Sequence, residues 1–248
     1  MPTDLIIASP GIDRVQIRVL TVARTLSASI ATLNLIRRPA VTQVVGYQPM
    51  QLSVTGSVMV GRASGTPAGI TDRVNSMLAT PEPVQLTGLV AQVGTLRSWK
   101  LDSDWLVFGN SWYAKTVLVV DLQEPWLWDP RPVAGRRAPL VLRAGDEQIA
   151  LPVPRASANN TSIVSVLDRL EDQAAVKWLG QGSAGLTLSG LGFIDEPRLF
   201  EWMQAGAVVT IDSTEWQNGS WQISGMTVTA EDFIDGHASQ ARYQVVLT

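Results

Sequence analysis

The sequence predicts a mainly β protein of the β-rich α+β class, built from two tandem units over residues 1–150 and 151–248. Three observations predict this fold class. Short runs alternate apolar and polar residues, as half-buried strands do. Two short segments carry apolar residues at helical spacing. Landmarks of the first half recur in the same order in the second half, which is typical of a repeated structural unit.

The repeat is clearest where Gly46–Gly56 aligns without a gap with Gly180–Gly190. Later landmarks align at smaller offsets, so the comparison predicts an insertion in the first copy. The matched positions, first copy before second, are Gly46 and Gly180, Leu52 and Leu186, Val54 and Leu188, Gly56 and Gly190, Ser111 and Ser220, Trp112 and Trp221, Trp128 and Phe233, Leu140 and Val245, and Leu142 and Leu247.

The second copy predicts a helix near 196–205. Asp195 is a good N-cap, and Gly206 is a natural C-terminal stop. Asn218-Gly219 predicts a hairpin turn, and Gly225 a bulge. The strands predicted around these features are Leu186–Gly190, Ala207–Ile211, one beginning at Trp221, and Tyr243–Leu247.

The first copy follows the same plan. We predict a short helix near 72–79, capped by Thr71, and an inserted hairpin arm over Leu96–Leu106 followed by a turn at Gly109-Asn110. The other predicted strands are Leu52–Val58, Val84–Val93, Trp112–Leu122, Arg14–Leu20 and Ser29–Ile36. Ile163–Asp168 fits either a strand or the start of a helix. The proline-rich junction Gln123–Pro154 is expected to wrap across the surface.

Composition excludes several classes of protein. Of 248 residues, 46% are hydrophobic and 17% charged, which is typical of a globular chain. The formal charge of −3 means that the chain has no excess of basic residues with which to bind nucleic acid or an anionic membrane. There is no cysteine, so disulfides, thiolate catalysis and cysteine zinc sites are excluded. We expect no secretory signal, no membrane partner and no membrane span, since no apolar run approaches about 20 residues.

Catalytic patterns are weak, and we predict no enzyme, no cofactor and no metal site. His237 is the only histidine, and a triad or metal site would need oriented partners. The acidic pair Asp195-Glu196 is explained by helix capping, and the other acidic pairs fit solvated turns. The glycine-rich stretch Gly61–Gly65 lacks the lysine of a phosphate-binding loop.

The order of motifs in the second copy resembles the U-type tail proteins of temperate contractile-tailed phages. The residues that carry the resemblance are the Leu186–Gly190 strand, the capped helix, the Gly219-Ser220-Trp221 hairpin and the closing Arg242–Leu247 strand. It covers Gly180–Thr248 well and Gly46–Leu142 loosely. It implies two tail-tube-like β-barrel or sandwich units, each with a short flanking helix, although the family carries one unit.

The resemblance implies a structural role in a virion. The expected protein forms a ring that initiates, caps or adapts the tail tube, at the hub or baseplate of a phage or phage-like injection tail. Three chains with two units each, or six chains, would close such a ring. The expected partners are further copies, other tail or baseplate proteins, and DNA that only passes through the lumen. The protein would be made in the host cytoplasm and reside in the virion.

Candidate assembly contacts are aromatic and basic, because Trp and Arg are enriched at interface hot spots. In the junction, Trp126 and Trp128 lie near Arg131, Arg136 and Arg137. This group fits an interface or, equally, a covering loop that plugs the end of a barrel.

The predicted inserted arm carries two further candidates, Trp99 and Trp105. They fit an assembly contact through a neighbouring sheet edge. The alternative function is a carbohydrate-binding β-sandwich for host recognition, in which Trp99, Trp105, Trp126 or Trp128 would stack on sugars.

Overall fold

The computed structural model describes residues 4–33, 41–62, 65–127, 140–152, 155–169, 172–212, 220–234 and 237–248. Within these residues the chain is mainly β with two short helices, which confirms the predicted fold class. The helices are α1 (Pro67–Ala79) and α2 (Glu196–Gln204). The strands are β1 (Asp4–Ser9), β2 (Ile12–Leu33), β3 (Val41–Tyr47), β4 (Gln51–Gly61), β5 (Val84–Gly88), β6 (Gln92–Leu101), β7 (Leu106–Phe108), β8 (Ser111–Leu122), β9 (Leu140–Ala144), β10 (Glu147–Leu151), β11 (Arg155–Arg169), β12 (Asp172–Leu191), β13 (Val208–Asp212), β14 (Ser220–Ile234) and β15 (His237–Leu247).

The chain divides into two compact units, and each is assembled from separate stretches. Unit 1 comprises Met1–Leu26, Pro49–Leu127 and Thr227–Arg242. Unit 2 comprises Ser27–Gln48, Trp128–Met226 and Tyr243–Thr248. These bounds differ from the continuous blocks 1–150 and 151–248. A duplication of such a block stays a prediction.

Unit 1 contains a closed ring of six antiparallel strands. Around the ring the order is β1-β5-β6-β8-β4-β2, and β2 pairs back with β1. Closure removes most free strand edges, which is how barrels limit unwanted pairing. Strand β2 also pairs with β14, and the hydroxyls of Thr25 and Thr227, which both belong to unit 1, are hydrogen-bonded at 3.3 Å.

The interior of the unit 1 barrel is filled by alternate residues of each strand. On β8 these are Ala114, Thr116, Leu118, Val120 and Leu122, all buried. Apart from Thr116 these side chains are aliphatic, and their burial stabilises the unit by about 25 cal/mol for each Å² of apolar surface removed from water.

A bulge on β2 keeps its buried residues facing inward. The register shifts between Val19 and Thr21, so Leu20 is the extra residue and is 56% exposed. An extra residue changes which alternate positions face the interior. Across the ladder, Gly56 lies so close to β2 that a Cβ would overlap the Arg18 carbonyl oxygen. A glycine is therefore needed at this close approach.

Unit 2 has the strand order β10-β9-β13-β14-β15-β12-β11. Its central pairs include Val208 with Gln222 and Ile211 with Leu142. Gln222 and Thr248 exchange both backbone hydrogen bonds, which ties the last residue to β14. In the interior, the Tyr243 hydroxyl donates to the Pro152 carbonyl at 2.8 Å.

The two units share an order of strands. In unit 1, β4 precedes α1 and four antiparallel strands follow, β5, β6, the three-residue β7 and β8, of which β8 pairs back with β4. In unit 2, β12 precedes α2 and β13, β14 and β15 follow, with β15 paired to β12. If the short strand β7 is left out, β6 corresponds by this order to β14, and β8 to β15. Trp112 lies on β8 but Trp221 on β14, and Leu142 lies on β9 but Leu247 on β15. These two sequence alignments therefore match residues on strands that do not correspond.

Both helices begin at a capping residue followed by proline near the first turn. Asp195 caps α2 through its Oδ1, which accepts from the Arg198 amide at 3.2 Å, and Gly206 follows the helix with φ +59°. This confirms the predicted helix and its stop. The predicted start of α1 at Thr71 is wrong, because Thr66 is the N-cap and accepts from the Gly69 amide at 3.2 Å. Thr71 instead donates to the Pro67 carbonyl inside the helix.

Several strand predictions need correction. Val84–Val93 is two strands, β5 and β6, separated by residues 89–91, and Gly88 at the end of β5 has φ +94°. Leu96–Leu101 belongs to barrel strand β6, so it is not part of an inserted arm. Strands Arg14–Leu20 and Ser29–Ile36 fall, as far as they are described, in the single strand β2.

The remaining predictions divide as follows. Ile163–Asp168 is a strand, within β11. The junction Gln123–Pro154 was expected to wrap across the surface. Its described residues include the β9–β10 hairpin. The turn at Gly109-Asn110 is confirmed between β7 and β8. The predicted turn at Asn218-Gly219 lies outside the described residues.

Candidate assembly surfaces

Trp99 belongs to the interior of unit 1. Its side chain lies on β6, is 6% exposed, and donates through Nε1 to the Thr116 hydroxyl at 2.6 Å. Thr116 in turn donates to the Lys100 carbonyl at 3.1 Å. A buried and fully bonded indole offers no face for stacking on a sugar, so the carbohydrate alternative loses one of its four tryptophans.

Trp105 is half-buried and lies just before β7. Its backbone amide donates to the Ser103 carbonyl at 3.1 Å, in a tight loop where the Asp102 carboxylate also accepts from the Asp104 amide at 3.2 Å. The loop carries the chain from β6 to β7 along the same side of β8. Trp105 therefore borders the exposed strand described below.

Trp126 is held by a buried arginine. Arg24, on β2, is 2% exposed and donates from Nη1 to the Trp126 carbonyl at 3.1 Å. Its guanidinium also lies 5.2 Å from the centre of the Trp126 ring, within the range of a cation–π interaction. Both residues belong to unit 1, so this contact fixes the end of the described segment that follows β8. Trp128, Arg131, Arg136 and Arg137 lie outside the described residues.

An exposed apolar strand, β7, is the surface that the sequence analysis did not single out. Leu106, Val107 and Phe108 are 68%, 47% and 79% exposed. In register beside them, Leu106 lies opposite Tyr113, and Tyr113 opposite Met59, which is 56% exposed. We name Met59, Leu106, Phe108 and Tyr113 the β7 patch. A three-residue apolar run directly before the Gly-Asn turn was the available signal.

Unit 2 has its own exposed apolar residues on the β2–β3 hairpin. Val45 is the extra residue where the register shifts between Ser29 and Ile30, and it is 63% exposed. Tyr47 lies edge-on to Phe200 of α2, with ring centres 5.8 Å apart. The Tyr47 hydroxyl accepts from the Gln204 side-chain amide at 3.0 Å. These contacts hold the base of the hairpin on α2 and leave Val45 on the surface.

Two carboxylates of unit 2 have structural partners. Glu147 accepts from the Trp202 indole at 2.7 Å, and Asp195 caps α2. Burial raises the pKa of Tyr243 well above its ordinary value, because ionisation would place a charge in the interior. This tyrosine bonds a backbone carbonyl, so its role is structural. Among the described residues, no cluster of His, Asp and Glu is arranged to hold a metal ion.

Comparison of the chain with protein-family models and with curated protein sequences finds no match. Over the part of the chain that the structure describes, neither helix is long and apolar enough to cross a membrane.

Proposed function

We propose that this chain is a structural component of a phage or phage-like injection tail, forming a ring that initiates, caps or adapts the tail tube. The ring would contain three or six chains, meeting other tail or baseplate proteins above and below. Its lumen would let DNA pass without holding it, since a net negative chain offers few phosphate contacts.

The observation that carries the proposal is the shared strand order of the two units. Each places a strand, a helix and a run of antiparallel strands in succession, with the last strand paired to the first, and unit 1 has the additional three-residue strand β7 within that run. The matched residues Leu52 and Leu186, which are both buried, lie on the corresponding strands β4 and β12. A chain with two like units can occupy two like positions in a closed ring, which favours three chains around six positions.

Open strand edges supply a means of assembly. Within the described residues, β3 pairs only with β2, β7 only with β8, β10 only with β9, and β11 only with β12. Unpaired backbone N–H and C=O groups at such edges bind a strand of another chain. Because the edges belong to both units, contacts that run from one copy to the next in a head-to-tail manner would close a ring.

The test is the assembly state of the purified full-length chain. Sedimentation velocity and negative-stain electron microscopy should show trimers or hexamers, and rings with a central hole, at high protein concentration. Tail genes beside the coding sequence would be independent support. A chain that stays monomeric and is retarded on a polysaccharide gel would overturn the proposal and favour carbohydrate binding.

A further inference from the structure

The chain passes between the two units five times, and three of these crossings lie inside β-strands. Successive segments belong to unit 1 and unit 2 in turn, with boundaries after Leu26, Gln48, Leu127, Met226 and Arg242. The first boundary lies within β2, the fourth within β14 and the last within β15. Domains are ordinarily joined by exposed linkers rich in proline, glycine and polar residues. At these three crossings a continuous strand stands where such a linker would be.

Strand β2 is paired on both sides of its crossing. Its ladder with β4 in unit 1 extends to Thr25, and its ladder with β3 in unit 2 begins at Ala28. Leu26 is 1% exposed, and the Ser27 carbonyl accepts from the Gln48 amide at 2.8 Å. The residues that separate the two ladders are thus fixed by burial and by a backbone hydrogen bond.

Strands β14 and β15 are buried on both sides of their crossings. On β14, Met226 of unit 2 and Val228 of unit 1 are 4% and 1% exposed. On β15, Ala241 of unit 1 and Tyr243 of unit 2 are each 3% exposed. Residues two apart on a strand share a face, so burial continues along each strand through the boundary. The two strands also pair with each other.

Unfolding one unit alone would require all three strands to open part-way along their length. At each opening, backbone groups would lose their hydrogen-bond partners, which costs free energy wherever water does not replace them. Buried aliphatic side chains such as Leu26 and Val228 would also lose the stabilisation that burial gives them. A form with one unit folded and the other unfolded is therefore disfavoured relative to both the native and the fully unfolded chain.

We propose that the two units open and unfold as one cooperative unit, so that a change which destabilises either one destabilises both to the same extent. Strands β2, β14 and β15 are the device that couples them. A partner that binds only the folded form of one unit would consequently also protect the other unit against opening. The coupling does not rest on the proposed tail function.

Hydrogen exchange of the full-length chain tests the coupling, because it reports the opening of each segment separately. The peptides to compare cover β6 in unit 1 and β13 in unit 2. Leu52→Ala in unit 1 should accelerate the slowest amides of both peptides by the same factor, on the order of 30-fold or more for a truncated buried leucine. Leu186→Ala in unit 2 should do the same.

The control for both variants is Val117→Ala, at a 38% exposed position, which should leave both peptides unchanged. Acceleration confined to the unit that carries the substitution would overturn the proposal. Both measurements are made at low protein concentration, so that self-association does not contribute to protection.

A second measurement needs no destabilised variant. Trp99 of unit 1 and Trp202 of unit 2 are 6% and 5% exposed, so fluorotryptophan at each position reports on its own unit. In urea, the two fluorine resonances of the otherwise wild-type chain, assigned with Trp99→Phe and Trp202→Phe, should lose intensity at one midpoint. Two separate midpoints would overturn the proposal and leave the proposed function untouched, because neither measurement depends on assembly.

Discussion

The two units follow one order of strands and differ in how that order ends. In unit 1, β1 pairs with β5 on one side and β2 on the other, and the ring closes. In unit 2, β9 takes the place of β1 beside β13, but its other neighbour is β10 rather than β11. The difference teaches that, apart from the short β7, a strand, a helix and three strands are common to both units, and that the strands which precede them differ in how they pair.

The largest effect is expected when a buried leucine is truncated at the corresponding position of each unit. Leu52→Ala on β4 and Leu186→Ala on β12 should each lower the free energy of unfolding by about 2–5 kcal/mol, since both side chains are buried. Urea unfolding followed by circular dichroism measures the loss. Val117→Ala, at a 38% exposed position, is the control. If one variant loses less than the control, the two strands do not hold equivalent places in their units.

Substitution of two glycines tests how closely the backbones of neighbouring strands approach each other. Gly56→Ala would force the new Cβ against the Arg18 carbonyl, so we expect a loss of about 1–3 kcal/mol. Gly46→Ala is the control, because nothing lies within 4 Å of the added carbon. Thermal unfolding of both variants is the measurement. Equal melting temperatures would mean that β2 and β4 approach less closely than described.

Tyr243 tests the polar contact that unit 2 has on the strand corresponding to β8. Tyr243→Phe leaves the Pro152 carbonyl without its donor and should cost about 1–2 kcal/mol. Because the pKa of Tyr243 is raised in the folded chain, its contribution is complete below the unfolded pKa of about 10 and is lost as the pH rises above it. The wild type should therefore lose stability in alkali more steeply than Tyr243→Phe. Parallel alkaline curves would contradict this assignment.

The smallest effect is expected at the helix caps. Thr66→Ala and Asp195→Ala should each destabilise by about 1 kcal/mol, with the loss of Asp195 at the upper end because its charge also favours the helix N-terminus. Asp195→Asn should recover most of that loss, since an amide oxygen can still cap. Chemical unfolding measures the stability of each variant in the series. If Asp195→Asn is as unstable as Asp195→Ala, the ion pair between Asp195 and Arg198, at 3.8 Å, contributes more than the cap.

Local features of the fold were predictable from sequence where one short motif determines them. The α2 helix from Asp195 to Gly206 is such a motif, and so is the Gly109-Asn110 turn. The start of α1 was missed although Pro67 follows Thr66, since proline favours the first helical turn. Thr71 satisfied the same capping pattern without the proline.

Non-local features could not be predicted from residue patterns. Alternation identifies a strand but not its neighbour, so neither the closed ring of unit 1 nor the place of β6 within it follows from the sequence. Trp99 was a surface candidate because Leu96–Leu106 was predicted to be an inserted arm, whereas it lies on barrel strand β6 with its indole bonded to Thr116. Phe108 has the composition of a core residue, and its exposure is a property of the edge on which it lies.

Both units contain residues from separate stretches of the chain, and this limits when each can finish folding. Unit 1 includes Thr227–Arg242, and unit 2 includes Tyr243–Thr248. Strand β15 contributes residues to both units, so neither unit has its full set of residues until β15 has been made. Neither sheet can therefore close as its earlier strands are made, and both must wait for the same late strand.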